Sequence, residues 1–228
     1  MRERKTKMNI VIDTETCPID TTLTEVRPEN MWSYDIGWAV VDDDGSDIVV
    51  RSFVNADIFL GEKEAMKSAF FADKIPQYWE DIKAGRRVLT SFYNIRKAFL
   101  EDVKKYNVKQ VFAHNMRFDY GTLNQTQRWL TKSKYRFFFP FDVEICDTLK
   151  MAKQIFSQME EYKTFCSDNG YMTKNNKMRY TAEILFRFIS NQNDFVESHT
   201  ALEDVMIEKE ILAYCLRMNP NVKKCLWD

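Results

Sequence analysis

The apolar run Ile10-Val11-Ile12 ends in Asp13-Thr14-Glu15, and that junction constrains the fold more than any other stretch of the chain. Side chains alternate along a strand, so residues two apart share a face and the two carboxylates must occupy one small volume at a strand end. Charges held that way repel and call for a compensating cation. Oxygen-only ligands suit a hard divalent ion, Mg²⁺ or Mn²⁺, better than zinc.

The pattern after this strand sets the fold class. Residues 17–34 are polar, with Pro18 and Pro28, and read as an irregular excursion at the rim of a site. The β-rich runs 36–41 and 48–54 flank Asp42-Asp43-Asp44-Gly45-Ser46, a hairpin signal that makes the first three strands antiparallel neighbours. Helical spacing predicts helices over 62–71 and 88–106, the second with Phe92, Ile95, Phe99 and Val103 on one stripe. A short strand over 108–113 feeds a helix that runs to about Leu130, a further strand covers 137–145, and helices cover 147–156, 181–189 and 201–216. The expectation is α/β: a mixed sheet flanked by helices. Residues 172–180 are polar and basic, a surface loop or small hairpin inserted within about 168–180.

At 228 residues the chain suits one domain, 1–228, with a core over about 9–213 and a short C-terminal tail. Thirty-three basic against 34 acidic residues leave a net charge of −1, so any nucleic-acid contact must use local patches and metal ions. Five cysteines without a Cys-x-x-Cys pair argue against a disulfide framework and a structural zinc site, and reduced thiols fit a cytoplasmic protein. The N-terminal Met-Arg-Glu-Arg-Lys-Thr-Lys is basic, but the apolar run behind it breaks at Asp13 before signal-peptide length, and no membrane association is expected.

Asn115 and Asp119, four residues apart, are expected on one face near a helix N-terminus, which adds a third carboxylate above the sheet. Ser198-His199-Thr200-Ala201-Leu202-Glu203-Asp204 places a histidine just before a helix and a fourth carboxylate in its first turns. Four carboxylates and one histidine are the inventory of a two-metal phosphodiester hydrolase with histidine as general base. Singly, each has a plainer reading. Asp-x-Glu is common on solvated strand edges, Asn115 suits an N-cap, and Asp204 suits a helix first turn. Their order and placement at element boundaries favour the nuclease reading. The same weighing leaves His114 as a packing or hydrogen-bonding residue and Asp147 as an N-cap.

The three segments resemble the exonuclease motifs of the DEDD superfamily of 3′-to-5′ exonucleases. Asp13-Thr14-Glu15 is similar to the first motif, Asn115-x-x-x-Asp119 with Phe118 to the second, and His199-x-Ala201-x-x-Asp204 to the third. The histidine marks the histidine subtype, whose members include the proofreading subunit of bacterial DNA polymerase III, ribonuclease T and oligoribonuclease. The resemblance implies a ribonuclease H-like fold and two divalent ions, Mg²⁺ or Mn²⁺. It further implies that Asp13 bridges both ions, Glu15 and Asp204 hold the nucleophile-side ion, Asp119 holds the second, and His199 is the base. Thr16 occupies a position that lies near the terminal nucleotide in relatives. The chain departs from the family pattern at Thr16-Cys17-Pro18 and in the longer polar stretch that follows.

The expected substrate is the 3′ end of a single strand, DNA slightly favoured over RNA, because a terminal phosphodiester must be unpaired to enter a four-carboxylate cleft. The alternatives are an exoribonuclease or oligoribonuclease, and a non-catalytic nucleic-acid or polymerase-binding module on the same fold, with a polymerase or replication complex as partner. Two groups mix cations with aromatics as strand-binding surfaces do: Lys132 to Arg136, and Lys174, Lys177 and Arg179 with Tyr171 and Tyr180. The plainer reading of each is a solvated face.

Overall fold

The computed structural model describes residues 8–22 and 25–227, and the basic N-terminal segment 1–7 lies outside them. Six strands form one sheet in the order β4-β3-β2-β1-β5-β6. β1 (Asn9–Pro18) and β2 (Met31–Val41) pair antiparallel, as do β2 and β3 (Asp47–Asn55), so the expected three-strand start is present. The Asp42 carboxylate holds the hairpin turn by accepting from the Asp44 and Ser46 amides. β4 (Val88–Thr90) pairs parallel to β3, β5 (Gln110–Ala113) parallel to β1, and β6 (Glu144–Asp147) parallel to β5. The sheet is the mixed one expected, and with helices on both faces the fold is ribonuclease H-like α/β.

Alternation along β1 divides the core. Ile10 and Ile12 pack with Trp38, Phe99 of α4 (Phe92–Lys105) and Leu123 of α5 (Arg117–Thr131) on one face. Val11 packs with Met151 of α6 (Thr148–Phe156), Tyr162 of α7 (Glu160–Asp168), Leu185 of α8 (Ala182–Ser190) and Ile211 of α9 (Ala201–Met218) on the other. A third cluster joins Cys17, Trp32 and Tyr34 to Ile58 of α1 (Ala56–Phe59), Met66 of α2 (Lys63–Lys67) and Tyr78 of α3 (Ile75–Lys83). All five cysteines are free thiols, and among the described residues no helix is long and apolar enough to cross a membrane.

Several expectations need correction. β1 does not end at Glu15 but continues to Pro18 through a bulge between Glu15 and Thr16, and β2 begins at Met31, so both ends of the expected excursion belong to strands. Burial of Trp32 and Tyr34 in the third cluster draws these polar-flanked residues into the sheet. The helix expected over 62–71 is only one turn long, and the one expected over 88–106 is a strand followed by a helix, because Val88–Thr90 finds a pairing edge on β3. Residues 137–143 form no strand. Pro140 lacks a ladder donor, and the segment buries Phe138 and Phe139 while leaving Phe141 exposed. The 172–180 segment is a small hairpin closed by a Met172–Met178 bridge.

Candidate active site

The same alternation that buries Val11 points Asp13 and Glu15 at the N-terminal end of α9. A glycine makes that approach possible. Gly37 lies opposite Asp13 in the β1–β2 register, and a Cβ there would sit 2.7 Å from the Leu202 nitrogen and 2.8 Å from the Ala201 carbonyl carbon. The Ala201 amide donates to Asp35 (3.0 Å), a fully buried carboxylate that also accepts from Tyr78 (2.8 Å) and from Arg87 (3.0 Å). Arg87 in turn donates to Glu203 (2.9 Å), so the start of α9 is tied to β2 at two points.

Asp204 is thereby brought to β1. Ligand oxygens of Asp13, Glu15 and Asp204 all lie within 4.8 Å of one another. Asp119 reaches the same edge from the other face of the sheet, on the first turn of α5, where Thr14 donates its hydroxyl proton to the Asp119 carboxylate (2.9 Å). Asn115 is not on that helix, contrary to expectation. It occupies the left-handed turn just before it (φ 67°), a conformation that asparagine tolerates, and its amide donates to Asp147 (3.2 Å). Asp147 also caps α6 by accepting from Leu149 and Lys150, the role expected for it.

Sequence reasoning missed a fifth carboxylate. Glu208 is buried on α9, and it accepts from the His114 amide (3.2 Å), which ties α9 to the turn that launches α5. Its signal was present in the four-residue spacing from Asp204, which puts both on one helix face. His114 is a structural residue, as expected. Its Nε2–H donates to the Tyr180 carbonyl (2.7 Å), leaving Nδ1 to accept from Thr148 (3.2 Å), and burial lowers its pKa.

Burial is the main reason that these carboxyls hold their protons, and mutual repulsion adds to it. Glu15 is raised to about 9, with Asp204 as the next cause, and Asp204 is raised to about 8, with Glu197 next. Asp119 is raised to about 7 by burial against the opposing effect of the Thr14 hydrogen bond. Asp13 and Glu208 are both pushed well up, in each case by burial and then by Asp119. One oxygen of Asp204, Oδ1, is buried with no hydrogen-bond partner. A buried, unpartnered carboxylate oxygen beside two more carboxylates is the donor set a hard divalent cation satisfies, and these residues fit one.

His199 sits at the rim in a left-handed conformation (φ 53°), with its ring stacked on Phe71 (centroids 4.6 Å apart, planes 11° apart). Lys74 donates to its carbonyl (3.4 Å), and a Glu197 oxygen lies 3.7 Å from Nδ1. Burial and Lys74 lower its pKa. Glu197, His199 and Asp204 form a second group whose ligand atoms lie within 4.8 Å of one another. Thr16, immediately past the bulge, is buried with its backbone paired to Ser33.

No family model matches the chain, and no curated protein matches it. Solved structures do resemble it. Exonuclease I of E. coli in complex with a dA16 oligonucleotide aligns with a TM-score of 0.52 at 13% identity, over 94% of this chain and 41% of that one. Exonuclease I from Methylocaldum szegediense aligns with a TM-score of 0.54 at 12% identity, over 94% and 41%. S. pombe Pop2p in its Mg²⁺- and Mn²⁺-bound form aligns with a TM-score of 0.52 at 11% identity, over 93% and 84%. The chain thus spans about two fifths of the exonuclease I chains and most of Pop2p, and what it shares with all three is the fold.

Proposed function

We propose that this protein is a divalent-cation-dependent 3′-to-5′ exonuclease of the histidine DEDD subtype that acts on single-stranded DNA. The observation that carries the proposal is the convergence of Asp13, Glu15 and Asp204 within 4.8 Å, with His199 at the rim of the same site. Asp13, Glu15 and Asp204 would hold one ion, Mg²⁺ or Mn²⁺, and Asp13 with Asp119 a second. When bound, such ions lower the pKa of water and offset charge on the attacking and leaving oxygens.

The chain's own groups supply the rest. His199 has a lowered pKa and is therefore neutral near pH 7, free to accept the proton of the attacking water. Stacking on Phe71 restrains the ring. As water adds to phosphorus, the 3′ oxygen of the retained strand leaves, and the product is a nucleoside 5′-monophosphate. Exonuclease I bound to dA16, with the same fold, supports DNA as the strand.

The test is product analysis. With single-stranded DNA and Mg²⁺ the protein should release nucleoside 5′-monophosphates, and both EDTA and Asp13→Ala should stop the release. Release that persists in EDTA, or in Asp13→Ala, contradicts the proposal.

A further inference from the structure

A cleft of ≈ 560 Å³ opens beside the carboxylates, and its lining carries charges of both signs. Asp13, Glu197 and Glu208 line it together with Lys153 of α6 and Arg179 of the 172–180 hairpin. We infer that Lys153 and Arg179 bind the backbone phosphates of the retained strand, so that the inserted hairpin is part of the substrate path; this rests on the exonuclease reading above.

Three observations carry the inference. First, both side chains are exposed, and among the described residues neither has a carboxylate within ion-pairing distance, so their charge is available to an incoming anion. Second, the backbone that presents Arg179 is held in place. The Tyr162 hydroxyl donates to the Arg179 carbonyl and His114 to the Tyr180 carbonyl, both from the buried side. His114 joins the hairpin directly to the turn before Asp119. Third, the other cations of the hairpin are disposed differently. Lys174 and Lys177 lie at its exposed tip outside the cleft lining, and Tyr171 is engaged with Arg187.

The chemistry of the substrate decides which phosphates these are. A strand that ends in a 3′-hydroxyl carries no phosphate on the terminal side of the scissile one. Any second phosphate in the cleft therefore belongs to the strand that is kept, and the two cations mark its exit.

The experiment compares the wild type with Lys153→Ala, Arg179→Ala and the double variant on (dT)12 and on the dinucleoside monophosphate dTpdT, which has only the scissile phosphate. Losing one single-strand phosphate contact should reduce the salt slope of log affinity by about 0.7 and weaken binding at 0.15 M salt by about fourfold, or about fifteenfold for both. Expected for the double variant are that rise in KM on (dT)12, kcat within about twofold, unchanged kinetics on dTpdT, and recovery in Arg179→Lys. Anisotropy of fluorescein-labelled (dT)12 in EDTA reads the same contacts without turnover. If the double variant keeps wild-type KM, anisotropy and salt slope, the inference is wrong. If the wild type cleaves nothing yet binds (dT)12 through these two cations, the exonuclease reading fails and the phosphate-binding role stands.

Discussion

Stripping divalent cations and raising the pH should destabilise this protein steeply. Glu15 at about 9 and Asp204 at about 8 lie well above the ~4 of an unfolded carboxyl, and burial pushes Asp13 and Glu208 well up too, so between pH 5 and 7 the folded state keeps at least two protons that the unfolded chain has released. Stability then falls as pH rises, because the native state binds the extra protons. Each proton contributes about 1.4 kcal/mol per pH unit, and two give about 3 kcal/mol per unit. For a chain of this size 1 kcal/mol corresponds to roughly 2–4 °C, so Tm in EDTA should drop by at least about 6 °C per pH unit. A divalent ion replaces the protons, so 5 mM Mg²⁺ should raise Tm little at pH 5 and most at pH 8. Asp204→Asn removes one of these groups and should lower the slope by about 1.4 kcal/mol per pH unit. Scanning fluorimetry across pH 5–8, with EDTA or Mg²⁺, measures this directly. A Tm in EDTA that is flat or rises with pH would refute the reasoning that these carboxyls are protonated in the absence of metal.

Three further outcomes are expected. His199→Ala should lower kcat by about 10²–10⁴ while the Mg²⁺-induced rise in Tm stays at its wild-type size, and a wild-type rate would exclude His199 as base. Phe71→Leu should lower kcat by about two- to tenfold with KM unchanged, the equivalent of the ~0.5–1.5 kcal/mol a ring pair contributes, whereas Phe71→Tyr should retain activity. Gly37→Ala forces a methyl to within 2.7 Å of the Leu202 nitrogen and should cost about 1–3 kcal/mol of stability together with most of the activity, read by denaturant melts and nucleotide release.

What could be read from the chain alone was whatever depends on local pattern. The Asp42 to Ser46 turn between two alternating runs is written in consecutive residues, and Asp13 with Glu15 on one face follows from strand geometry. The placement of His199 before a helix that carries Asp204 is equally local. What escaped depends on distant partners. β4 is three residues long and exists because β3 offers an edge, and its Val88 falls into the same spacing as the α4 stripe. The run around Pro140 has strand composition, yet its rings are divided between core and solvent. Thr14 holding Asp119, Gly37 beneath the start of α9, and Phe71 under His199 join residues far apart in sequence, and no spacing rule connects them. Glu208 and Glu197 were omissions within reach, since one lies a helical turn beyond Asp204 and the other two residues before His199.

The most direct measurement of the central claim is a time course on single-stranded DNA labelled at its 5′ end, with Mg²⁺, resolved to single nucleotides beside the Asp13→Ala variant. The account predicts a ladder that descends from full length one nucleotide at a time and is absent in the variant. Immediate release of short 5′-labelled products, internal cuts, or a ladder that survives in Asp13→Ala would contradict it.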